Sequence, residues 1–151
     1  MATELPRMHQ EIIDQLPYES PFLFVDELEE VHDNGVTGTF TFSPDQFFYK
    51  GHFRDKPVTP GVILTECMAQ IGLVSLGIYL LRAEESEERQ VALSHTDVHF
   101  YLPVFPGEKV WVTSEKKYFR FQKLKCKVEM KNAAGKLVGR GEISGMIRNY
   151  E

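Results

Sequence analysis

The feature that most constrains the fold is one long apolar stretch, residues 60–81, with the sequence PGVILTECMAQIGLVSLGIYLL. Thr59 can cap a helix here and Pro60 suits a first helical position, so we predict a helix. About 22 residues extend roughly 33 Å in a helix, which is enough to cross a bilayer. Glu66 and Gln70 lie near one side, however, and neither end carries an aromatic and basic belt. We therefore predict a helix buried nearly all round in the core of a soluble protein, without a membrane span.

Shorter segments on both sides of this stretch predict the rest of the fold. Apolar residues recur on one helical face over 7–16, and Pro17 ends that helix. Residues 21–32 and 36–43 are typical of two strands of a hairpin joined at Asp33-Asn34-Gly35. The charged run 82–90 is interpreted as a solvated loop. Four more strands are predicted at 91–101, 108–119, 120–131 and 136–149.

The predicted order is a helix, two strands, the long helix and four strands. One antiparallel sheet wrapped around one buried helix accounts for this order, which is an α+β arrangement. A chain of 151 residues has the size of one domain, so we expect a single domain over 1–151.

The composition excludes several classes of function. A net charge of −5 disfavours a general role on nucleic acid or on an anionic membrane. Cys67 and Cys126 are far apart, and their spacing suggests neither a zinc site nor a redox pair. The N-terminal segment has no basic region followed by an apolar core, so we do not expect a secretory signal. A cytoplasmic protein with reduced thiols is the interpretation that follows.

Residues 51–70, GHFRDKPVTPGVILTECMAQ, combine groups that can move protons with a helix start. The first backbone N–H groups of a helix have no helical partner, and with the helix dipole they favour a developing negative charge. Gly61 has no side chain, so a substrate carbonyl can approach its N–H closely. The alternative is that Pro60-Gly61 only opens the helix.

Glu66 and His52 are the candidate acid and base of this stretch. Gln70 follows Glu66 at i+4 on the same helix face and can hold the carboxylate by a hydrogen bond. Apolar surroundings help a carboxyl keep its proton, which suits a general acid, and histidine suits a general base. The alternatives are a solvent-facing Glu66 and a structural His52. An acid, a base and an oxyanion site fit loss of a proton next to a carbonyl with expulsion of a β-hydroxyl, although residue types alone do not single out that reaction.

The same stretch resembles the signature of the 3-hydroxyacyl-[acyl-carrier-protein] dehydratases of the FabZ type. The family pattern is roughly Gly-His-Phe-Pro-Gly-x-Pro-x-x-Pro-Gly-Val-x-x-x-Glu-x-x-Ala-Gln, with the histidine and glutamate spaced as His52 and Glu66 are here. LPYESPFLFVDELEE (16–30) is similar to the family's opening segment. HFYLPVFPGEKVWV (99–112) is similar to its Pro-Val-x-Pro-Gly-Asp segment. The resemblance thus covers most of the chain in order.

The resemblance implies a hotdog fold and a specific set of site residues. The catalytic residues would be His52 and Glu66, and the oxyanion or substrate-binding residues would be Gly61, Val62 and Gln70. The substrate would be a 3-hydroxyacyl thioester on the phosphopantetheine of acyl carrier protein, with no metal or redox cofactor. In the family, histidine and glutamate of one site come from different subunits, which implies a dimer at least; a trimer of dimers is common in relatives.

Two departures from the family pattern affect the expected substrate. Arg54-Asp55 stands where the family has Pro-Gly, and Tyr18-Glu19 where it has His-Arg. Both replacements are close to the candidate catalytic residues, but neither replaces a catalytic residue. The resemblance implies fatty-acid biosynthesis, and the two departures leave open a specialised lipid pathway with an unusual acyl group such as a polyene or aryl-polyene chain in place of the usual long saturated one.

Lysines along one strand form a candidate docking surface for the acidic carrier. Lys123, Lys125 and Lys127 alternate with apolar residues and so share one strand face. The alternative is an ordinary solvated sheet face. Three other functions remain open: a hotdog acyl thioesterase, a non-catalytic acyl-binding subunit, and an anion- or nucleic-acid-binding module. The placement of the histidine before the helix argues against a thioesterase. The presence of both candidate catalytic residues argues against a non-catalytic subunit, and the net negative charge argues against an anion- or nucleic-acid-binding module.

Overall fold

The computed structural model describes residues 4–84 and 89–149. The chain begins with helix α1, Glu4–Asp14, and a later short 3-10 helix spans Phe47–Lys50. The central helix, Gly61–Leu80, contains α2 (Gly61–Ala69), a π-helical turn (Gln70–Val74) and α3 (Ser75–Leu80). The strands are β1 (Glu27–His32), β2 (Gly35–Thr41), β3 (Arg89–Phe100), β4 (Lys109–Arg120), β5 (Lys123–Asn132) and β6 (Leu137–Asn149).

The strands form one antiparallel sheet that curves around the central helix. Their order is β1-β2-β4-β5-β6-β3, so β1 and β3 are its two edges. Alternate residues of β5, such as Leu124, Cys126 and Val128, point at the helix and are fully buried. The predicted α+β arrangement, with one sheet wrapped around one helix as in the hotdog fold, is confirmed.

The central helix lies in the core. By length and composition it could cross a membrane, but its residues from Cys67 to Ile78 are almost completely buried within the fold. Such burial is typical of the core helix of a soluble protein. Close approach to the sheet depends on a missing side chain at Gly72, where a Cβ would lie 3.1 Å from Ser114 and Val128. At the π-helical turn the Ser75 hydroxyl donates a 2.7 Å hydrogen bond to the Gln70 carbonyl.

Two predictions, the start of the first strand and the cap of the central helix, are wrong for the same physical reason. In both places the residues bond to residues elsewhere in the chain. The first strand begins at Glu27 and not at residue 21, because the backbone at Phe22 and Phe24 bonds to the side chain of Gln70. Thr59 does not cap the central helix, because its hydroxyl shares a 2.6 Å hydrogen bond with that of Tyr49.

Other boundaries differ by a few residues. Helix α1 spans Glu4–Asp14, against a predicted 7–16, and a two-residue turn at 121–122 separates β4 from β5. The predicted solvated loop 82–90 is partly wrong, because Arg89 already belongs to β3. Its guanidinium donates hydrogen bonds to Gln15 and to the carbonyls of Leu81 and Glu84. Residues 85–88 of that loop lie outside the described residues.

Candidate active site

The loop between the 3-10 helix and the central helix places His52 in front of the helix start. Its two ends are closed by a hydrogen bond from the Val58 N–H to the His52 carbonyl, at 2.9 Å. The Thr59 N–H donates to the Val104 carbonyl at 2.9 Å, which ties the loop to the segment before β4. The loop thus reaches the helix in a defined position.

The ring of His52 is held in the tautomer that a base requires. Its Nδ1 lies 3.0 Å from the carbonyl oxygen of Val58, and a carbonyl can only accept a hydrogen bond. Nδ1 therefore carries a proton, and in the neutral ring the lone pair lies on Nε2. The half-buried ring stacks on Phe53 with centroids 4.0 Å apart, which limits its rotation.

Arg54-Asp55, the departure from the family pattern beside His52, forms the tip of a closed turn. Phe53 and Lys56 exchange backbone hydrogen bonds of 3.2 and 3.3 Å across it. Both tip residues are exposed, and neither makes an ion pair with any residue of 4–84 or 89–149. The charges thus face solvent next to the histidine and leave its hydrogen bond to Val58 intact.

The helix start presents free backbone donors, as predicted. The N–H groups of Ile63 and Leu64 both donate to the Pro60 carbonyl, at 3.0 and 3.1 Å. The N–H groups of Gly61 and Val62 have no acceptor within the described part of the chain. Both residues are exposed, Val62 to 76%. This end of the helix can hold an anionic oxygen.

Val62, Glu66 and Gln70 form a stripe along one helix face, at positions i, i+4 and i+8. Exposure falls along the stripe from Val62, through a half-buried Glu66, to Gln70 at 0%. The carboxyl group therefore lies where open surface gives way to the core. Glu66 and His52 share no hydrogen bond within the described chain.

Gln70 fixes one oxygen of Glu66. Its Oε1 accepts a 2.7 Å hydrogen bond from the Phe24 N–H, which defines the orientation of the amide group. Its Nε2 must then donate, and it does so to the Phe22 carbonyl at 3.0 Å and to Glu66 Oε2 at 2.9 Å. The predicted bond between Gln70 and Glu66 is present. Sequence reasoning missed the two backbone partners, since no local pattern signals them.

Tyr18 also lies close enough to Glu66 for their charges to interact. Burial, and then the nearby carboxylate, raise the pKa of the Tyr18 hydroxyl well above its usual value of 10. The phenol is thus a neutral hydrogen-bonding group at working pH. The sequence marked Tyr18 as a departure from the family but did not indicate its proximity to Glu66.

The predicted docking lysines lie on the outer face of the sheet, away from the helix. Lys127 pairs across the strands with Glu115 and Glu142, and Lys125 Nζ lies 3.6 Å from Glu142. Lys123 instead pairs with Arg120, at the hairpin between β4 and β5. Lys127 is the exposed one of the three and shares a surface depression with Lys117 and Arg140, whereas Lys123 and Lys125 are half-buried. Docking itself stays a prediction.

No metal centre is assembled by the described residues: nowhere in 4–84 or 89–149 do three or more His, Cys, Asp or Glu side chains converge. Cys67 and Cys126 are buried separately and free.

Comparison with known proteins places this arrangement in a class. The model of the FabA-like domain matches residues 16–143, which include every candidate site residue. Among solved structures, the chain is similar to the dehydratase heterocomplex ApeI:P from Xenorhabdus doucetiae, with a TM-score of 0.77 and 18% identity over 91% of each chain. A hypothetical thioesterase with coenzyme A from Streptococcus pneumoniae has a TM-score of 0.60 and 13% identity over 83% of this chain and 87% of that one. At these identities both likenesses establish the fold alone.

Sequence relatives narrow the class further. The 3-hydroxyacyl-[acyl-carrier-protein] dehydratase FabZ of Sinorhizobium fredii is 34% identical over 94% of this chain and 90% of its own length. FabZ of Bacillus licheniformis is also 34% identical, over 74% of this chain and 76% of its own length. The chain therefore belongs to the FabZ family of 3-hydroxyacyl-[acyl-carrier-protein] dehydratases.

Proposed function

We propose that this protein is an enzyme that removes water from a 3-hydroxyacyl thioester on acyl carrier protein, giving the trans-2-enoyl thioester. The observation that carries the proposal is the hydrogen bond by which the buried Gln70 holds Glu66 on the helix that offers two free N–H groups at its start. The FabZ relatives carry this activity in their names. Fatty-acid or a related specialised lipid biosynthesis, in the cytoplasm, is the expected setting.

His52 acts as the base in this proposal. Its Nε2 takes a proton from C2 of the substrate, because Nδ1 is already committed to the Val58 carbonyl. Negative charge moves onto the thioester oxygen as the C2–H bond breaks. The N–H groups of Gly61 and Val62, at the positive end of the helix dipole, stabilise that oxygen.

Glu66 acts as the acid. It donates its proton to the 3-hydroxyl, the C3–O bond breaks, and water leaves with the electron pair of that bond. The electrons of the former C2–H bond form the C2–C3 double bond. Gln70 keeps the carboxyl group turned towards the substrate. Return of one proton from His52 to Glu66 through solvent restores both groups, so no redox or metal cofactor enters the scheme.

The active site is shared between two copies of the chain, with His52 from one and Glu66 from the other. Two observations support a second copy. Strand β3 is a sheet edge of 12 residues, and a long open edge is prone to pair with another strand. Large apolar side chains are also exposed around the helix start: Phe53, Val62, Phe100, Tyr101 and Phe105. A dimer is the smallest unit, and a trimer of dimers is its expected extension.

Acyl carrier protein docks through the basic outer face at Lys123, Lys125 and Lys127. Lys123→Glu with Lys125→Glu should raise KM for a carrier-bound substrate and leave a small thioester mimic nearly unaffected. Lys136→Glu, in the exposed turn before β6, is the matched control for charge reversal. Equal losses on both substrates would contradict docking at this face.

A direct assay tests the activity. The protein is incubated with a 3-hydroxybutanoyl thioester while enoyl absorbance and free thiol are followed together. Enoyl product without thiol is expected, whereas thiol release would indicate a thioesterase. Saturable binding without reaction would indicate an acyl-binding subunit. His52→Ala and Glu66→Ala should each lower kcat by about 10²–10⁴, and a wild-type rate in either would contradict the assignment.

Mixing the two inactive variants tests the shared site. If each site takes its histidine and glutamate from different chains, a mixed dimer contains one intact site, and equal amounts give about one quarter of the wild-type rate after subunit exchange. If both residues come from one chain, no intact site forms. Co-refolded mixtures without activity would therefore contradict sharing while leaving the dehydratase assignment in place.

A further inference from the structure

The ring of Phe100 is held between two glycines, on β6 and on the central helix. A Cβ atom at Gly139 would lie 2.6 Å from its Cδ1 and 3.0 Å from its Cε1. A Cβ atom at Gly61 would lie 3.6 Å from its Cε2 and 3.8 Å from its Cδ2. Opposite edges of one ring thus face the two glycines.

The backbone leaves this ring little freedom. Phe100 is the last residue of β3 and pairs directly with Gly139 of β6. The Tyr101 N–H donates a 2.8 Å hydrogen bond to the Val138 carbonyl, so the strand pairing continues past the phenylalanine. Because the ring contacts the Gly139 side with one edge and the Gly61 side with the other, a displacement away from Gly139 along this line narrows the space beside Gly61.

The space beside Gly61 is where the thioester oxygen binds in the proposed reaction. The Gly61 N–H has no acceptor within the described part of the chain, and Gly61 is exposed. Phe100 is 38% exposed, so part of its ring forms a wall of this space. The position of the ring sets how much room the substrate has next to its carbonyl carbon.

We propose that Gly139 and Phe100 are a specificity-determining pair: the recess at Gly139 keeps the ring back from the helix start and admits acyl groups with a substituent at C2. The proposal rests on the proposed dehydration at Gly61. One methyl group in an apolar wall commonly changes discrimination by about 10- to 200-fold. A C2 methyl group still leaves one hydrogen on C2, so elimination of water to a 2-methyl-2-enoyl thioester remains balanced.

Two thioesters of N-acetylcysteamine test the pair: 3-hydroxybutanoyl and 2-methyl-3-hydroxybutanoyl. Gly139→Ala should lower kcat/KM for the methylated substrate about tenfold more than for the plain one. Phe100→Leu should shift the ratio the opposite way, towards the methylated substrate. In the double variant the alanine should have no further effect on the ratio, because the ring through which it acts is absent.

Gly145→Ala is the matched control on the same strand. Its Cβ would lie 3.0 Å from Leu73 and from the Ala92 carbonyl, with no contact to Phe100, so it should leave the ratio at the wild-type value. If the ratio of kcat/KM for the two substrates is unchanged in both Gly139→Ala and Phe100→Leu, the proposed role of Gly139 and Phe100 in specificity is wrong. If Gly139→Ala does not fold, Phe100→Leu alone decides. A wild-type protein that dehydrates neither substrate would instead overturn the proposed function.

Discussion

Gln70→Leu removes three hydrogen bonds in one substitution of similar volume. The amide of Gln70 bonds the Phe24 N–H, the Phe22 carbonyl and the Glu66 carboxylate at 2.7, 3.0 and 2.9 Å. Leucine fills the space but accepts and donates nothing. The variant therefore tests the tie to segment 22–24 and the orientation of the proposed acid together.

The expected loss of stability depends on whether water can replace Gln70 at each of its hydrogen-bonding partners. Phe24 and position 70 are fully buried, so the Phe24 N–H loses its acceptor and water does not replace it. A buried unsatisfied donor costs about 1–3 kcal/mol. Phe22 is 41% exposed, so water can take over at its carbonyl at little cost. We expect a loss of about 2 kcal/mol in the free energy of unfolding, which lowers Tm by roughly 4–8 °C in a domain of this size.

Urea unfolding followed by the fluorescence of Trp111, the one tryptophan, measures the stability. The dehydration assay measures kcat, which should fall about tenfold or more because the acid loses its orientation. Glu66→Gln is the control: its amide oxygen still accepts from Gln70 and the Phe24 bond is kept. Its stability should stay within about 0.5 kcal/mol of the wild type, while kcat falls by about 10²–10⁴.

Comparing the two variants distinguishes the contribution of Gln70 to stability from its contribution to catalysis. If Gln70→Leu unfolds at the wild-type urea concentration, the Phe24 N–H does not depend on Gln70 and the reasoning is refuted. If its stability falls but kcat does not, Gln70 ties the loop to the helix without positioning Glu66.

Three further predictions concern the stability of the fold. Burial, opposed by the charge of Lys116, raises the pKa of the Cys126 thiol from 9 to about 12. The native state therefore keeps a proton that the unfolded chain releases, and this thiol alone should lower the free energy of unfolding by about 1.4 kcal/mol per pH unit between pH 9 and 12. Cys67 and Tyr18, whose pKa values burial also raises, add to the slope. Cys126→Ala should reduce the measured slope by about 1.4 kcal/mol per pH unit in urea titrations, and a slope equal to that of the wild type would contradict the prediction. Ser75→Ala should cost about 1 kcal/mol in the same assay, through its lost bond to the π-helical turn; a neutral effect would count against that bond. Gly141→Ala should destabilise by about 1–3 kcal/mol and speed hydrogen exchange in β3, because its Cβ would overlap the Asp97 carbonyl oxygen; wild-type exchange would contradict this.

Local patterns were enough to predict most of the fold. The alternation of β5 and the apolar run of the central helix are periodicities that a few neighbouring residues define. The start of β1 was wrong because PFLFVD has the composition of a strand, yet Phe22 and Phe24 bond to Gln70, more than 40 residues later. Such a bond depends on how the loop and helix pack, which no local window contains.

The candidate site was predictable to the same extent. The pair Glu66 and Gln70 follows from i, i+4 spacing, and the free N–H groups follow from any helix start. The proximity of Tyr18 to Glu66 joins segments 48 residues apart, and that of Phe100 to Gly61 joins segments 39 residues apart. Both contacts needed the three-dimensional arrangement of the loop, the sheet and the helix.

The lysine strand shows how strand register changes the meaning of a charge pattern. Alternation along β5 places Lys123, Lys125 and Lys127 on one face, but a sheet face contains the neighbouring strands as well. Register sets Glu142 and Glu115 opposite Lys127, whereas Lys123 lies opposite Arg120. Opposite charges at directly paired positions cancel over a few ångströms, and like charges add. A carrier attracted by this face should therefore depend on Lys123, and reversing Lys123 alone should raise KM for a carrier-bound substrate while leaving a small thioester mimic nearly unaffected.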